Sequence, residues 1–471
     1  ISGGPIVNVL STGVLTIPMM LKRGFSKTFS GGVEAAASSG GSIMPPVMGV
    51  AAFVLAALTA VPYASVIMAA IIPAVAYFFC LFLSVVFQSR KQNIQAIGMI
   101  TEEMRLEFQD ALNLIMVLAP IVLILFLLLT DKGSVGCGLW GGIMGAERVI
   151  TANGCDVQSL PWILQLLQNA AGDAGSAGWF AVMLLILLLL LDPEVRARPK
   201  KIVDGLSGAG VLISTLYLMF LTVSIIDFCL NFTGLPVFLS LDVLAWLNEL
   251  NLGSTGPFMI QFTALMLTMM IAVLLGMGMP AVPAYINVAL LMGPVLAGLG
   301  LGTFTAHMFI FYFAVASAIT PPVALAAFAA STITKAGPMG TAVAAVKSGI
   351  VIFTIPFVFA FYPEILLIEE ARLASADIEG IGKTSFLPGY SSTIDLQNLA
   401  LLLFRLAIAL YLVSSCLARH DMYPIGFFEV SLRLGIAVFL LFKAPVVFCS
   451  AIVAAIILLA LHRLRHSSQL T

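Results

Sequence analysis

The chain has 471 residues, of which 61% are apolar and only 10% are charged, and its mean hydropathy is +1.09. Soluble globular proteins do not have this composition, so the sequence predicts a polytopic membrane protein. Long apolar runs indicate spanning helices rather than the alternating segments of an outer-membrane barrel. The net charge is −1 and the basic residues lie in short patches between helices, so nothing indicates nucleic-acid binding.

The first segment, residues 1–88, begins with an apolar stretch that is interrupted too often for a simple span. Gly, Asn, Ser, Thr and Pro interrupt residues 1–20, a pattern typical of one arm of a re-entrant hairpin. A broken helix is predicted at about 33–58 and a conventional span from Pro62 to about 88. Because the sequence begins at Ile1, without an initiator Met or a signal peptide, we expect a further segment upstream in a longer protein.

The helix at 33–58 contains a polar, helix-breaking run of Ser, Gly and Pro at Ser38–Pro46. Lipid offers no hydrogen-bond partners to the backbone groups that such a break exposes. Breaks of this kind occur where protein buries them or where they line a cavity. The run therefore predicts a binding site near the middle of the membrane.

The middle segment, residues 89–275, consists of linkers, scaffold-type spans and one long loop. Spans are predicted at 112–130, 179–191, 202–236 and 257–275, with the polar loop 131–177 between the first two and an amphipathic interfacial piece at 239–252. The linkers 89–111 and 192–201 carry seven basic residues and the loop carries two: Arg90, Lys91, Arg105, Arg196, Arg198, Lys200 and Lys201 against Lys132 and Arg148. By the positive-inside rule the linkers are cytoplasmic and the loop lies outside.

The third segment, residues 276–366, has the same plan as the first. It contains residues 283–302, a second broken helix at 305–333 and a span at about 340–366, and its break at Ala316–Val323 again has a Pro pair followed by Val. The last segment, residues 367–471, is predicted as a polar linker followed by a C-terminal hydrophobic extension of about three spans, at 399–418, 426–442 and 445–461.

Proline positions indicate an internal duplication. One constant separation, called here the proline offset, joins four pairs of prolines: Pro18 with Pro294, Pro45 with Pro321, Pro46 with Pro322 and Pro62 with Pro338. Pro5 and Pro280 form a fifth pair whose separation is shorter by a single position. Two copies of a re-entrant arm followed by a broken helix form the plan of secondary transporters that are built from inverted repeats. The sequence therefore predicts an all-α transporter of this architecture.

The residue types in the two breaks suit a small monovalent cation. Gly40–Gly41 lets backbone carbonyls turn inward, and Ser39 and Ser42 supply hydroxyl oxygens. Ser317 and Thr320 supply hydroxyls in the second copy. Hard oxygen ligands without a cluster of carboxylates favour Na⁺ over a divalent metal. The N-termini of the half-helices can hold a carboxylate, because their dipoles are positive there.

An ion channel and an intramembrane enzyme are the alternatives. Channel filters usually come from symmetric oligomers, whereas an internal duplication favours alternating access. An enzyme needs positioned acid, base or metal ligands. The chain has four His residues, of which only His307 lies near the repeat, and it has no HExxH motif. A transporter is therefore favoured, and no cofactor is predicted other than the coupling ion.

Charged residues within predicted membrane helices are candidates for functional roles, because charges are costly in lipid. Glu34 is interpreted as a carboxylate at a helix N-terminus, favoured by the helix dipole and close to Lys27. Asp227 is placed near the outer end of its helix. Arg405 lies early in a terminal span and is expected to snorkel to the membrane surface.

Several stretches resemble the large membrane subunit of TRAP transporters, in the fused permeases of the TAXI type. The first is VEAAASSGGSIMPPVMG at 33–49. The second half agrees through LGMGMP at 275–280, AHMF at 306–309, and FYFAV at 311–315, which runs into SAITPPVALAAF at 317–328. The resemblance covers roughly residues 1–366.

The resemblance implies an elevator-type, Na⁺-coupled importer of small organic acids in the bacterial inner membrane. Its substrate would come from a separate periplasmic binding protein, and a small membrane subunit or a missing N-terminal part would complete it. The implied first cation site contains Gly3, Gly4, Ser38, Ser39, Gly40 and Gly41, and the second contains Gly276, Gly278, Ser317, Ala318 and Thr320. The implied substrate contacts are Asn8, Ser42, Pro45, Pro280 and Thr320.

Overall fold

The computed structural model describes residues 4–46, 48–94, 108–130, 135, 147–151, 154–159, 161–234, 256–367 and 395–467, with a few single positions between 238 and 249. Regular structure in these residues is almost entirely α-helical, as predicted, because a helix satisfies its own backbone hydrogen bonds in lipid. Eight helical segments among the described residues are long and apolar enough to cross a membrane, one of them the nearly continuous segment Pro338–Phe361. The chain is therefore a multi-pass membrane protein.

Four helices form the first copy of the repeat: α1 (Pro5–Lys22), α2 (Lys27–Gly40), α3 (Val50–Thr59) and α4 (Tyr63–Lys91). α1 begins at a Pro, whose fixed φ and missing N–H suit the first helical turn. α2 begins after Ser26, whose hydroxyl accepts a hydrogen bond from the Phe29 N–H. The helix predicted at 33–58 is thus two helices with a break between them.

The middle segment contains five described helices and two strands: α5 (Phe108–Leu129), β1 (Glu147–Thr151), β2 (Gly154–Ser159), α6 (Trp162–Ala170), α7 (Ala174–Leu189), α8 (Pro193–Ala197) and α9 (Lys200–Thr233). The strands form an antiparallel hairpin inside the loop 131–177, so the all-α prediction holds for the membrane helices but not for this loop. α5 packs against α6 and α7, and residues 60–67 and 97–222 form one compact unit. The amphipathic piece predicted at 239–252 lies largely outside the described residues.

Six helices follow: α10 (Gly256–Gly276), α11 (Ala281–Gly298), α12 (Thr303–Ala316), α13 (Leu325–Thr334), α14 (Pro338–Ser348) and α15 (Val351–Phe361). The bounds of α11 and α12 are those of α1 and α2 shifted by the proline offset. α13 corresponds to α3 in the same way, but the shift in residue number is one smaller than the proline offset. The helix boundaries therefore repeat as the prolines do. The span predicted at 340–366 is two helices, because the chain turns at Gly349 and Ile350.

The two copies pack reciprocally inside a second compact unit, residues 1–59, 68–96 and 223–471. α13, the second half of one broken helix, contacts α1 and α2 of the first copy. In the same way α3, the second half of the broken helix of the first copy, contacts α11 and α12 of the second copy. Within each copy the arm packs along the first half, α1 on α2 and α11 on α12. This reciprocal pattern of contacts is typical of inverted repeats.

The C-terminal extension is a bundle of α16 (Leu396–Ala418), α17 (Phe427–Leu440) and α18 (Pro445–Ser467). α16 and α18 are long enough to span a membrane. α17 has 14 residues, so at about 1.5 Å per residue it is roughly 21 Å long, short of a hydrocarbon core of about 30 Å. By itself α17 is therefore too short to span, and the third terminal span stays a prediction.

Arginine side chains hold this bundle together. Arg405 does not snorkel: its side chain is buried, and its Nε and Nη2 donate to the Leu440 and Phe442 carbonyls at 2.7 and 2.6 Å. These carbonyls follow the end of α17, where helical carbonyls lack partners within the helix. Arg433 is fully buried and pairs with Glu429 at 2.7 Å and with Asp421 at 3.2 Å. The two carboxylates thereby compensate a charge that burial would otherwise make costly.

Candidate functional site

The first helix break lies between α2 and α3 and is closed by its own backbone hydrogen bonds. The N–H groups of residues 41–43 donate to carbonyls three or four residues earlier, at 3.0–3.1 Å. The Gly49 N–H donates back to the Ser42 carbonyl at 2.8 Å, and the Pro45–Pro46 peptide is cis. The break is thus a compact turn, with the carbonyl end of α2 on one side and the N-terminus of α3 on the other.

Serine hydroxyls are buried at this break. Ser38, Ser39 and Ser42 are 5%, 0% and 1% exposed, and the Ser39 Oγ has no hydrogen-bond partner among the described residues. A buried hydroxyl is normally hydrogen-bonded, so an oxygen left over calls for an explanation such as a bound ion. Gly40 is required by packing, because a Cβ there would lie 2.5 Å from the Tyr77 ring.

The arm α1 reaches this break through one of the predicted residues. Asn8 is buried, and its Nδ2 donates to the Ser38 carbonyl at 3.3 Å. Gly4 is the N-cap of α1, and a methyl group built on it would contact Val7 of the same helix rather than the break. Gly3 lies outside the described residues. The structure therefore brings Asn8 to the first break but shows no such contact for the glycines.

The second break follows α12 and begins with a 3₁₀ turn at Ser317–Ile319. The Ser317 hydroxyl donates to the Ala314 carbonyl and the Thr320 hydroxyl to the Ala316 carbonyl, both at 2.7 Å. Each oxygen keeps lone pairs for a further partner. Ser317 is buried, Ala318 and Thr320 are half-buried, and the Pro321–Pro322 peptide is cis as in the first copy.

The hairpin α10–α11 brings its tip to the second break. A Cβ on Gly276 would lie 2.5 Å from the Ser317 Oγ, so only glycine allows this approach. Gly278 has a φ of +77°, and a Cβ there would meet Val323 at 3.7 Å. Pro280 is exposed and is the N-cap of α11. The predicted grouping of Gly276 and Gly278 with the second break is therefore present in the fold.

The two breaks are linked through α2, which the 3₁₀ turn of the second break contacts. Each break ends one helix and begins another, so it combines a negative helix C-terminus with a positive N-terminus. Such a combination suits a cation at the carbonyl end and an anion at the N-terminal end. Ser42 is buried and Pro45 half-buried at the first break, beside the start of α3.

Glu34 does not lie at a helix N-terminus, so that interpretation is wrong. α2 begins at Lys27, which places Glu34 two turns inside the helix, where its side chain is 7% exposed. Its Oε1 lies 2.9 Å from the Thr12 hydroxyl and its Oε2 lies 2.5 Å from the Thr16 hydroxyl, both on α1. The sequence contains the signal for this contact, since Thr12 and Thr16 lie one turn apart on the arm.

A second buried polar contact occurs at the corresponding interface of the second copy. The Tyr285 hydroxyl on α11 lies 2.7 Å from the His307 Nδ1 on α12. Tyr285 is fully buried and His307 half-buried. The sequence singled out His307 by its position near the repeat, but its partner is found only when the arm packs against the broken helix. The side chain of Asp227 is outside the described part of the structure.

The model of the family described as "Tripartite ATP-independent periplasmic transporter, DctM component" matches residues 1–143 and 159–371. No curated protein matches the chain. The matched ranges include both breaks, the hairpin α10–α11 and all helices of the two copies, whereas the bundle α16–α18 lies beyond them. Since the match covers most of the chain, the protein belongs to the DctM family, the large membrane component of TRAP transporters, and is a transporter component rather than an enzyme.

Proposed function

We propose that this protein is the membrane permease of a Na⁺-coupled importer of small carboxylates. The observation that carries the proposal is the pair of helix breaks, which present buried serine oxygens in both copies and an unpartnered Ser39 hydroxyl in the first. Among the described residues, no group of three or more His, Cys, Asp or Glu side chains is placed to hold a metal ion. Neutral hydroxyl and carbonyl oxygens favour Na⁺ over the divalent cations and transition metals that such groups bind.

The first Na⁺ would be held by oxygens of Ser38, Ser39 and the backbone of Gly40–Gly41, with Gly3 and Gly4 on the arm. The second would be held by Ser317, Ala318 and Thr320, with Gly276 and Gly278 at the hairpin tip. The close approach of Gly276 to Ser317 supports the second grouping, because it brings the backbone of the hairpin tip beside a hydroxyl oxygen of the break. The Asn8 contact with the Ser38 carbonyl supports the first.

The substrate would be an anion bound between the breaks by Asn8 and Ser42, with Pro45, Pro280 and Thr320 beside it. The N-termini of α3 and α13 follow the two breaks, and their dipoles favour a carboxylate. Asn8 and Ser42 add a short amide and a hydroxyl for its oxygens. These groups define the class of substrate and leave the individual acid to be identified.

Transport would follow an elevator-type mechanism in the bacterial inner membrane, within a TAXI-type fused permease. The reciprocal packing of α1–α3 with α11–α13 supports this, because an elevator needs one packed group of helices that carries both sites. The family's tripartite description indicates two further components. A periplasmic binding protein would deliver the carboxylate, and a small membrane subunit or an N-terminal equivalent would complete the scaffold.

The test is uptake by the complete transporter in liposomes. A thermal-shift screen of the cognate binding protein against small organic acids selects the probe. An inward Na⁺ gradient should drive saturable uptake of that acid, and replacing Na⁺ by K⁺ should abolish it. Ser39→Leu and Thr320→Leu should abolish uptake while the protein stays in the membrane.

Matched controls come from α9, where Ser214 and Thr222 are exposed and their hydroxyls donate to carbonyls four residues earlier, as Thr320 does. Ser214→Leu and Thr222→Leu should leave uptake unchanged. Unchanged uptake in both break variants would show that the breaks are structural kinks. Gradient-independent flux at channel-like rates would overturn the proposal as a whole.

A further inference from the structure

Glu34 is a buried carboxylate that the Na⁺ and substrate sites do not use. It lies in the first half of a broken helix, four residues before Ser38, and contacts the arm through Thr12 and Thr16. Ionisable groups in membrane segments are costly unless they are paired, and those that occur commonly mark ion or proton pathways. The question is what compensates this carboxylate.

No cation pairs with Glu34 among the described residues. α2 packs against α1, α4, α13 and α14, and the basic residues on or just beyond these helices are all exposed and near helix ends: Lys22, Arg23, Arg90, Lys91, Lys335 and Lys347. Lys27, on α2 itself, is exposed too. Two buried titratable groups of α4 are engaged elsewhere, since the Tyr77 hydroxyl donates to the Ala36 carbonyl and the Cys80 Sγ lies 2.8 Å from the Ser414 hydroxyl.

The fold does not require a carboxylate at this position. At the proline offset, the counterparts of Glu34, Thr12 and Thr16 in the second copy are apolar and fully buried: Ile310, Val288 and Met292. At these three positions the arm-to-helix interface of the second copy is therefore apolar, and its polar contact, Tyr285 with His307, lies elsewhere along the same helices. The polar trio is a property of the first copy alone, which indicates a role other than packing.

The threonines can satisfy both protonation states of the carboxyl group. The Thr12 Oγ1 lies 2.9 Å from the Glu34 Oε1 and 2.8 Å from the Asn8 carbonyl, and the Thr16 Oγ1 has the same two kinds of neighbour. Each hydroxyl has one hydrogen. It donates to the ionised carboxylate, or it turns to its helix carbonyl and accepts a hydrogen bond from the protonated acid. Neither state leaves a buried polar atom without a partner.

The geometry fits a proton better than a metal ion. Oxygen separations of 2.5 and 2.9 Å are direct hydrogen bonds, and a cation between the oxygens would hold them further apart. Gly13 closes the same side, because a Cβ there would lie 3.2 Å from the Glu34 Cγ.

We propose that Glu34 binds a proton that the transporter carries together with its substrate. The carboxylate takes up one proton on the side of substrate entry and releases it on the other. The Thr12 hydroxyl also contacts the backbone of Asn8, whose side chain contacts the first break, so the protonation state of Glu34 bears directly on that site. This role rests on the proposed transport function, to which it adds a second coupling ion.

The experiment measures internal acidification with a pH-sensitive dye in liposomes that contain the complete transporter. Addition of the selected organic acid should acidify the lumen, and an inward proton gradient should raise uptake at a fixed Na⁺ concentration. Glu34→Gln, which mimics the neutral acid, should lose substrate-dependent acidification to background while Na⁺-driven uptake persists. Glu364→Gln changes a half-buried carboxylate in the 3₁₀ turn after α15 and should acidify as the wild type does.

A second variant and a second measurement distinguish the loss of proton binding from a loss of folding. Glu34→Asp keeps the carboxylate and should retain coupled acidification at a lower rate. Infrared difference spectra between high and low pH should show the C=O band of a protonated carboxyl group in the wild type and lack it in Glu34→Gln. Acidification that persists in Glu34→Gln, or a wild type that moves no protons with substrate, overturns the role of Glu34. Loss of Na⁺ dependence in the wild type would instead overturn the Na⁺-coupled function.

Discussion

Gly276→Ala should weaken Na⁺ binding by forcing the hairpin tip away from the second break. A Cβ on Gly276 would lie 2.5 Å from the Ser317 Oγ and 2.6 Å from its Cβ. Carbon atoms in favourable contact are about 3.5–4.0 Å apart, so the new methyl group overlaps Ser317 by about 1 Å. Ser317 cannot rotate away freely, because its hydroxyl donates to the Ala314 carbonyl at 2.7 Å.

The size of the effect follows from the cost of overpacking. Extra methyl groups in packed interiors cost about 1–3 kcal/mol. If that cost falls on the state in which the tip is docked and Na⁺ is bound, the affinity for Na⁺ falls roughly 5- to 150-fold. The state in which the tip is undocked has no such overlap and is not destabilised, so the protein should remain folded and membrane-inserted.

The assay is the Na⁺ concentration that gives half-maximal uptake in liposomes, together with the Na⁺-dependent thermal shift of the purified protein. Gly293→Ala is the matched control, since it lies on the other arm of the same hairpin and its Cβ would meet only His307 at an ordinary 3.9 Å. Its Na⁺ dependence should match the wild type. Wild-type Na⁺ dependence in Gly276→Ala, or an equal loss in Gly293→Ala, would refute the reasoning.

Three further predictions concern other parts of the chain. Ser39→Ala should lower Na⁺ affinity about tenfold, on the order of one lost hydrogen bond to a charge. Ser30→Ala should leave Na⁺ affinity unchanged, although the Ser30 hydroxyl is also buried and has no partner among the described residues. Equal effects of the two variants in Na⁺ titrations would contradict a ligand role for Ser39. Arg433→Leu removes the buried cation from Asp421 and Glu429, whose further neighbours are Arg90 at 3.9 Å and His462 at 3.0 Å. It should destabilise the C-terminal bundle by about 3 kcal/mol in thermal unfolding. Arg463→Leu, at an exposed position, should change stability by less than about 0.5 kcal/mol. Burial, and then the charge of Lys91, lower the pKa of His420 in the loop after α16. The fold therefore favours the neutral imidazole, and the free energy of unfolding should decrease as the pH falls below the ordinary histidine pKa of about 6.5. If His420→Gln leaves the dependence of stability on acid pH unchanged, this reasoning is contradicted.

Composition and residue order were enough to predict the class of molecule and the plan of its core. Hydrophobic runs locate spanning helices, because only apolar side chains are stable in the hydrocarbon core. Pro and Gly indicate breaks, because they weaken helical backbone structure in any surroundings. The proline offset was therefore readable from the chain, and it reappears in the bounds of α11 and α12. The grouping of Gly276 with the second break came from the family resemblance; the fold places Gly276 against Ser317, and a shared cation site stays a prediction.

Local signals were weaker where the outcome depends on length or on neighbours. α17 is apolar like a span, but it ends at Leu440, where the carbonyls receive the Arg405 side chain from another helix. The β1–β2 hairpin forms within a polar loop that carries no strong strand pattern. A contact distant in the chain accompanies the end of α17, whereas β1 and β2 pair locally, with Thr151 opposite Gly154.

Which polar side chains meet depended instead on how the helices pack. Glu34 is 18 and 22 residues from the two threonines it contacts, and its burial depends on α1 lying along α2. Glu429 lies four residues before Arg433 on α17, whereas Asp421 meets Arg433 only through the turn between α16 and α17. Residue type and spacing fix the face on which a side chain lies, but the partner across the interface is set by tertiary packing. The breaks could thus be predicted from the chain, and the carboxylate beside them could be understood only in the folded protein.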